Sequence, residues 1–465
     1  MKEMLAVLLA LAATMTVAQP VQAQFDYVTN DGTITITGYT GPGLIVTIPG
    51  TINGLPVTSI GDGAFYDYYH LLGVTIPDSV THLGFEAFEN CFSLTNVTIG
   101  NGITRIGDQA FSYCVSLSTV QLPDNVTDIG NSAFARSGLR SVSFGARVTL
   151  IEEGAFFNCV NLSSVPILSG VTNIGDGGFE ECWSLTNVTL GSNLTDIGES
   201  AFFGSALTQV IVPGSVTNLG DVAFDFCGQL GAIIVEEANP VCSSVAGVLF
   251  DKSQATVLQY PAGLPGSYAI PNGTISIGMD AFGGCEGLTD VTIPNSVTSI
   301  EHLAFDDCKG LTNVTVGSGV TNLGSYAFYA DTSLQHLYFQ GNAPSEDGTE
   351  FEGVGDMGGN TNATVYYLPG TSGWGTYYGG LPTAPWFQPK PLILQRGPGF
   401  GGCSNQFGFT ISWATNATVV VEASSGLSPP VWLPVATNTL AAGSAYFSEP
   451  HWTNSPACFY RLRSP

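Results

Sequence analysis

Val97-Thr-Ile-Gly-Asn-Gly-Ile-Thr-Arg-Ile-Gly-Asp-Gln-Ala-Phe-Ser-Tyr-Cys114, followed by Val115-Ser-Leu117, decides the architecture because it does not occur once. The same order, Val-Thr-x-Ile-Gly-x-x-Ala-Phe-x-x-Cys-x-x-Leu-x-x-Val-x-Ile, returns along most of the chain. Its phenylalanine falls at Phe65, Phe88, Phe111, Phe134, Phe156, Phe179, Phe202, Phe224, Phe282, Phe305 and Phe328. Successive spacings are 22 or 23 residues, except for 58 between Phe224 and Phe282. Ala precedes the phenylalanine in every unit but one, where Gly178 stands, and a Leu follows five or six residues later, from Leu71 to Leu334. Such a period is that of one stacked solenoid coil.

The chemistry of one coil follows from this pattern. In Leu94-Thr-Asn-Val97-Thr-Ile99, Val97 and Ile99 point inward at period two, and Asn96 and Thr98 point outward. Ile103-Thr-Arg-Ile106 forms a second short extended side, and Gly107 is expected to release the backbone into a short helical turn carrying Ala110 and Phe111. Strands stacked at about 4.8 Å per coil pair into a parallel sheet. The eleven phenylalanines form the structural core, each contributing about 1.5–3 kcal/mol. Cys91, Cys114, Cys159, Cys182, Cys227, Cys285 and Cys308 lie three after the phenylalanine, where Tyr68, Ser137, Ser205 and Asp331 stand in the other coils. Sulfurs one coil apart have the separation a disulfide needs. Free substitution by Ser, and a Cys227 with no cysteine on a neighbouring coil, favour buried thiols instead.

These units resemble the BspA-like branch of bacterial leucine-rich repeats, over about residues 40–345. The match is specific in Ile-Gly-x-x-Ala-Phe-x-x-Cys and in Leu-x-x-Val-x-Ile, and it departs from the common leucine-rich pattern in having no recurrent asparagine ladder. The resemblance implies a curved solenoid on or outside a bacterial cell, used for adhesion and recognition, with no catalytic site. It also implies a hairpin insertion in the 58-residue gap, at about 236–270, around Ala246-Gly-Val-Leu-Phe-Asp-Lys252 and Thr256-Val-Leu-Gln-Tyr-Pro-Ala262. Nearby Ile211 and Ile234 occupy outward positions and are expected to be covered by that hairpin.

The expected organisation starts with a signal peptide over residues 1–23, with Lys2, an apolar run to Ala18 and Val21-Gln-Ala23 before the cut. An N-terminal cap spans 24–56 and the leucine-rich repeat solenoid, a parallel β-sheet with short helical turns, spans 57–343. Residues 344–390 hold an acidic loop, Ser345-Glu-Asp-Gly-Thr-Glu-Phe-Glu-Gly-Val-Gly-Asp356, and then Tyr366, Tyr367, Trp374, Tyr377, Tyr378, Trp386 and Phe387 among glycines. The loop does not match an EF-hand spacing and reads as solvated. The aromatics read as a cap on the last coil, ahead of a sugar-stacking surface. Short alternating runs over 391–465 indicate a small β-sandwich-like module, with Cys403 and Cys458 as its candidate disulfide.

The 465 residues carry 37 acids against 11 bases, a formal charge of −26. That balance disfavours nucleic acid and anionic membrane surfaces as partners. His70, His82, His302, His336 and His451 form no metal-spaced pair, and no P-loop, nucleophile elbow or dinucleotide fingerprint occurs. No cofactor, metal, catalytic residue or transmembrane segment is therefore expected. The candidate binding face is the outward set Asn96, Thr98, Thr119, Gln121, Asn187, Thr189, Asn313, Thr315, His336 and Tyr338. A threonine column from Thr58 to Thr321 on the other short side is expected to satisfy hydrogen bonds rather than match an ice lattice. The expected function is a monomeric, non-catalytic scaffold, exported to the cell surface, medium or periplasm, that binds an extracellular protein or glycan. An envelope spacer displaying the C-terminal module is the alternative, and a carbohydrate-active enzyme the distant one.

Overall fold

The computed structural model describes residues 24–167, 169–345, 348–354, 363–394, 401–403, 406–426, 430–449 and 459–464. The signal-peptide stretch 1–23, His451 and Cys458 lie outside them, as does the side chain of Cys403, so the candidate disulfide does too. The chain divides into two compact units, 1–185 and 186–465.

In the first unit, two short strands per coil stack in parallel register. On one side Ile45–Thr47 pairs with Gly73–Thr75 and that strand with Asn96–Thr98, while Thr119–Gln121 pairs with Ser141–Ser143. On the other side Arg105–Ile106, Asp128–Ile129, Leu150–Ile151 and Asn173–Ile174 follow one another. Between the sides the phenylalanines stack, from Phe65–Phe88 at 4.8 Å between ring centroids through Phe134–Phe156 at 5.5 Å to Phe156–Phe179 at 5.1 Å. All of them are buried. Tyr39, in the strand Thr33–Tyr39, stacks on Phe65 at 5.8 Å and so extends the column toward the N-terminus.

No α-helix is present among the described residues, so the expected helical turn is corrected. Two positions per coil, two before and two after the phenylalanine, lie in the left-handed region: Gln109 and Tyr113, Ser132 and Arg136, Gly154 and Asn158. A turn that reverses handedness every few residues cannot propagate a right-handed helix. Its amides reach instead to the next coil, as in Phe88 N–H to the Ala110 carbonyl at 2.8 Å and Asn90 N–H to the Ser112 carbonyl at 3.0 Å. Gly107 is needed for space rather than for its dihedrals, because a Cβ there would lie 2.4 Å from the Leu83 carbonyl oxygen.

The second unit is built from the same kind of coil, with one interruption. Gly266–Ala269, Leu288–Ile293, Asn313–Val316, His336–Phe339, Thr364–Tyr367 and Leu381–Pro385 pair in parallel succession. Inside the 58-residue gap, Tyr260 takes the phenylalanine's place: it stacks on Phe282 at 5.0 Å, and its amide bonds the Ala281 carbonyl. The two runs expected as a hairpin do pair antiparallel, Val248–Asp251 with Thr256–Gln259. Cys242–Val245 adds a further antiparallel strand to Val248–Asp251, and Thr256–Gln259 joins the coil by pairing in parallel with Ser276–Ile277. Phe351, 23 residues beyond Phe328, stacks on it at 5.5 Å and supplies a further coil. Glu350, Phe351 and Val354 are buried, which corrects the solvated reading of that part of the acidic loop. Further along, two antiparallel sheets share a small core of Phe409, Ile411, Val419, Val421, Leu440 and Phe447.

Candidate functional site

The outward strand positions are the part of each coil that the core does not use. In the first unit Asn96, Thr98, Thr119 and Gln121 are exposed and line one shallow depression of about 470 Å³ with Asn101 and Pro123. In the second unit Asn187 and Thr189 line another, of about 520 Å³, with Gln209, Ile211, Pro213 and Glu236. Ile211 and Ile234 are 50% and 41% exposed, so the expected cover is absent. The reason is a backbone one. The hairpin satisfies the edge of the strand Ile233–Val235, whose Ile233 N–H donates to the Gly247 carbonyl at 2.8 Å. Its Phe250 turns into the core rather than over the face. Gln209 and Glu236 are not among the residues expected on this face, although their spacing of two from Ile211 and Ile234 places them there.

Asn313, Thr315, His336 and Tyr338 come together across neighbouring strands, Asn313 opposite His336 and Thr315 opposite Tyr338. Asn313 Nδ2 donates to Asp290 Oδ1 at 2.8 Å, and Asn313 Oδ1 lies 3.0 Å from His336 Nδ1. The aromatic run beyond them splits in two. Tyr378 and Trp374 pack on Phe339 and Tyr378 on Phe351, closing the last coil. Tyr366 and Trp386 lie instead against Tyr338 on the outward face.

Other residues that stood out in the sequence have structural duties. Six column cysteines donate to the phenylalanine carbonyl of the preceding coil, for example Cys114 Sγ to Phe88 O at 3.3 Å and Cys308 Sγ to Phe282 O at 3.1 Å. Cys91, Cys114, Cys159, Cys182, Cys227, Cys242, Cys285 and Cys308 are all free and buried, and burial pushes the Cys91 and Cys227 thiols up to about 12. Threonine hydroxyls of the second side donate to the carbonyl one coil back, as Thr127 does to Thr104 at 3.0 Å. Arg105 is held by Asp108 and Glu152, both at 2.6 Å. Burial raises the carboxyls of Asp280 and Asp306, to about 7 and about 6, and that of Asp331 well above the usual range. Among the described residues, no group of three His, Cys, Asp or Glu side chains is placed to hold a metal ion.

Stacked parallel strands, one ring per coil and a sheet face left free define a leucine-rich-repeat type of solenoid. The model of the BspA type leucine rich repeat region matches residues 47–163, 149–264 and 266–355, more than half of the chain. The protein belongs to that family. A leucine rich cell surface protein from Faecalibacterium prausnitzii is 31% identical with a TM-score of 0.54, the alignment covering 74% of this chain and 93% of that one. A leucine rich repeat protein of T. pallidum is 32% identical over 46% of this chain and 90% of its own, with a TM-score of 0.38. A leucine-rich repeat protein from Bacteroides ovatus is 22% identical over 74% and 98%, with a TM-score of 0.47. No curated protein sequence matches.

Proposed function

We propose that this protein is a non-catalytic recognition scaffold, exported to the cell surface, that binds an extracellular protein or glycan through the outward face of its stacked strands. The observation that carries this reading is the uncovered pair Ile211 and Ile234, set beside polar Asn187, Thr189, Gln209 and Glu236. Ile211 and Ile234 stand opposite one another on paired strands and support the sheet there. The half of each left in water on a face rich in Asn and Thr fits a contact surface. The cell-surface description of the F. prausnitzii relative supports the location, and among the described residues no helix is long and apolar enough to cross a membrane. The test is retention on immobilised extracellular-matrix proteins and on a glycan array, native chain against an Ile211→Ser/Ile234→Ser double variant. The reading expects native binding that the variant weakens while its thermal unfolding stays cooperative and falls only slightly. It fails if the native chain is retained on neither surface, or if face substitutions at Ile211, Ile234, Asn96 and Thr98 all leave binding intact.

A second reading, an envelope spacer presenting the C-terminal module, is supported by Leu433 and Val435, exposed on the edge strand Leu433–Thr439. Apolar side chains on an unpaired strand edge invite pairing with another chain. Deleting residues 391–465 separates the two readings, since the spacer loses retention and the recognition scaffold keeps it.

A further inference from the structure

We infer that the last coils of the second unit carry a binding site for neutral pyranose sugars, formed by Tyr338, Tyr366 and Trp386 beside the Asp290–Asn313–His336 row. This rests on the recognition reading above and gives it a place and a ligand class. Two rows run side by side across the strands. In the first, Asp290 pairs with Asn313 and Asn313 with His336 in sheet register, and their side chains are joined at 2.8 and 3.0 Å. Two residues further along the same strands, Thr315 faces Tyr338 and Tyr338 faces Tyr366. The ring of Tyr338 lies 5.1 Å from Tyr366, 4.8 Å from Trp386 and 5.8 Å from His336, centroid to centroid, with planes opened by 24°, 40° and 10°.

Rings at those separations and tilts overlap only in part, so the cluster leaves aromatic surface uncovered, and all four side chains remain half-buried rather than enclosed. Positions two residues apart on a strand stand about 6.5–7 Å from one another. A pyranose has that width: an apolar C–H face lies on aromatic rings while its rim hydroxyls reach the neighbouring polar row. Asp290 and Asn313 are already fixed by each other and by Thr289 and Thr312, so little side-chain freedom is lost on binding. Charge sets the sugar class. No Lys or Arg stands on these strands, whereas Asp290 does, so a sugar carrying a carboxylate or sulfate meets repulsion and a neutral one does not.

The test uses the full chain, with neutral gluco-, manno- and galacto-oligosaccharides against heparin and polygalacturonate, read by calorimetry and tryptophan fluorescence. At least one neutral series binds, the anionic polymers do not, and Trp386→Ala and Asn313→Ala each weaken binding by about tenfold or more. Trp386→Phe keeps most of the affinity, and thermal unfolding of the Asn313→Ala chain matches the native one, which separates lost contact from lost fold. The inference is overturned if no neutral oligosaccharide binds, if both alanine variants bind as the native chain does, or if a proline-rich peptide occupies the rings in preference to every sugar. Protein binding that still depends on Ile211 and Ile234 would then leave the broader recognition reading standing. Loss of both would remove the two together.

Discussion

The phenylalanine column of the first unit and that of the second obey one rule with different strictness. From Phe65 to Phe179 every coil delivers its ring, at 4.8–5.5 Å from the last and with planes within 17°. In the second unit a hairpin interrupts the count, a tyrosine substitutes for a phenylalanine, and fully buried carboxyls enter the turns at Asp225 and Asp331. Stacking survives because each coil contacts only its neighbours, so an insertion is tolerated wherever it leaves the interior ring in register. The regular unit shows what the coil requires. The irregular one shows what it allows, and the opposed pair Ile211 and Ile234 and the aromatic row both lie there.

The comparison breaks most sharply at the rings. Phe111→Ala removes a fully buried ring between Phe88 and Phe134 and is expected to cost about 3–5 kcal/mol in urea unfolding. Tyr260→Phe should cost less than about 1 kcal/mol, because the coil needs the ring and not the hydroxyl. If Tyr260→Phe cost as much as Phe111→Ala, Tyr260 would not be the missing phenylalanine of its coil.

A middle-sized effect is set by pH, and it reaches both units, since burial also raises the Glu89 carboxyl of the first to about 7. The Asp280 and Asp306 carboxyls are raised by burial, to about 7 and about 6, so the folded chain holds their protons more tightly than the unfolded one. Their contribution is complete below about pH 4 and is lost as the pH rises through 6 to 7. Hydrogen exchange, referred to the intrinsic rate at each pH, should therefore show the coils of Asp280 and Asp306, and that of Glu89, opening more readily at pH 8 than at pH 5. Asp331 sits in the cysteine column with Oδ1 accepting from the Cys308 amide at 2.8 Å and Oδ2 buried without a partner among the described residues. Asp331→Cys is expected to raise the unfolding midpoint at pH 8 by roughly 2–4 °C and to do little at pH 5. An equal gain at both pH values would show that packing, not ionisation, limits that coil.

The smallest effect expected is at Cys114. Cys114→Ser keeps a donor for the Phe88 carbonyl, as Ser137 and Ser205 occupy the same column elsewhere, and should change stability by about 1 kcal/mol or less. Reductant should leave the native midpoint unchanged, and alkylation of the folded chain should be slow, since burial raises this thiol well above its usual range. A reductant-sensitive midpoint would mean that the column holds disulfides after all.

Periodicity alone determined the coil, the inward and outward sides of its strands, the buried phenylalanines and the small residues three positions after them. Each is a local requirement, repeated so often that chance variation stands out against it. The Ala-Phe signal did not mark Tyr260 or Phe351, because ring delivery depends on coil geometry and survives the loss of the flanking letters. The turn is not helical for a similar reason: alternating handedness is a matter of dihedrals, and Gln109, Ser132 and Val222 carry no common side-chain mark of it. The tertiary structure decided which outward residues stay open. Ile211 and Ile234 are exposed because the hairpin answers the hydrogen-bonding demand of a strand edge, and Tyr366 and Trp386 reach Tyr338 because parallel register sets residues 28 and 48 positions apart on one face. Residue order states what a coil must bury. Which faces remain uncovered follows from how distant backbone segments complete one another's hydrogen bonds.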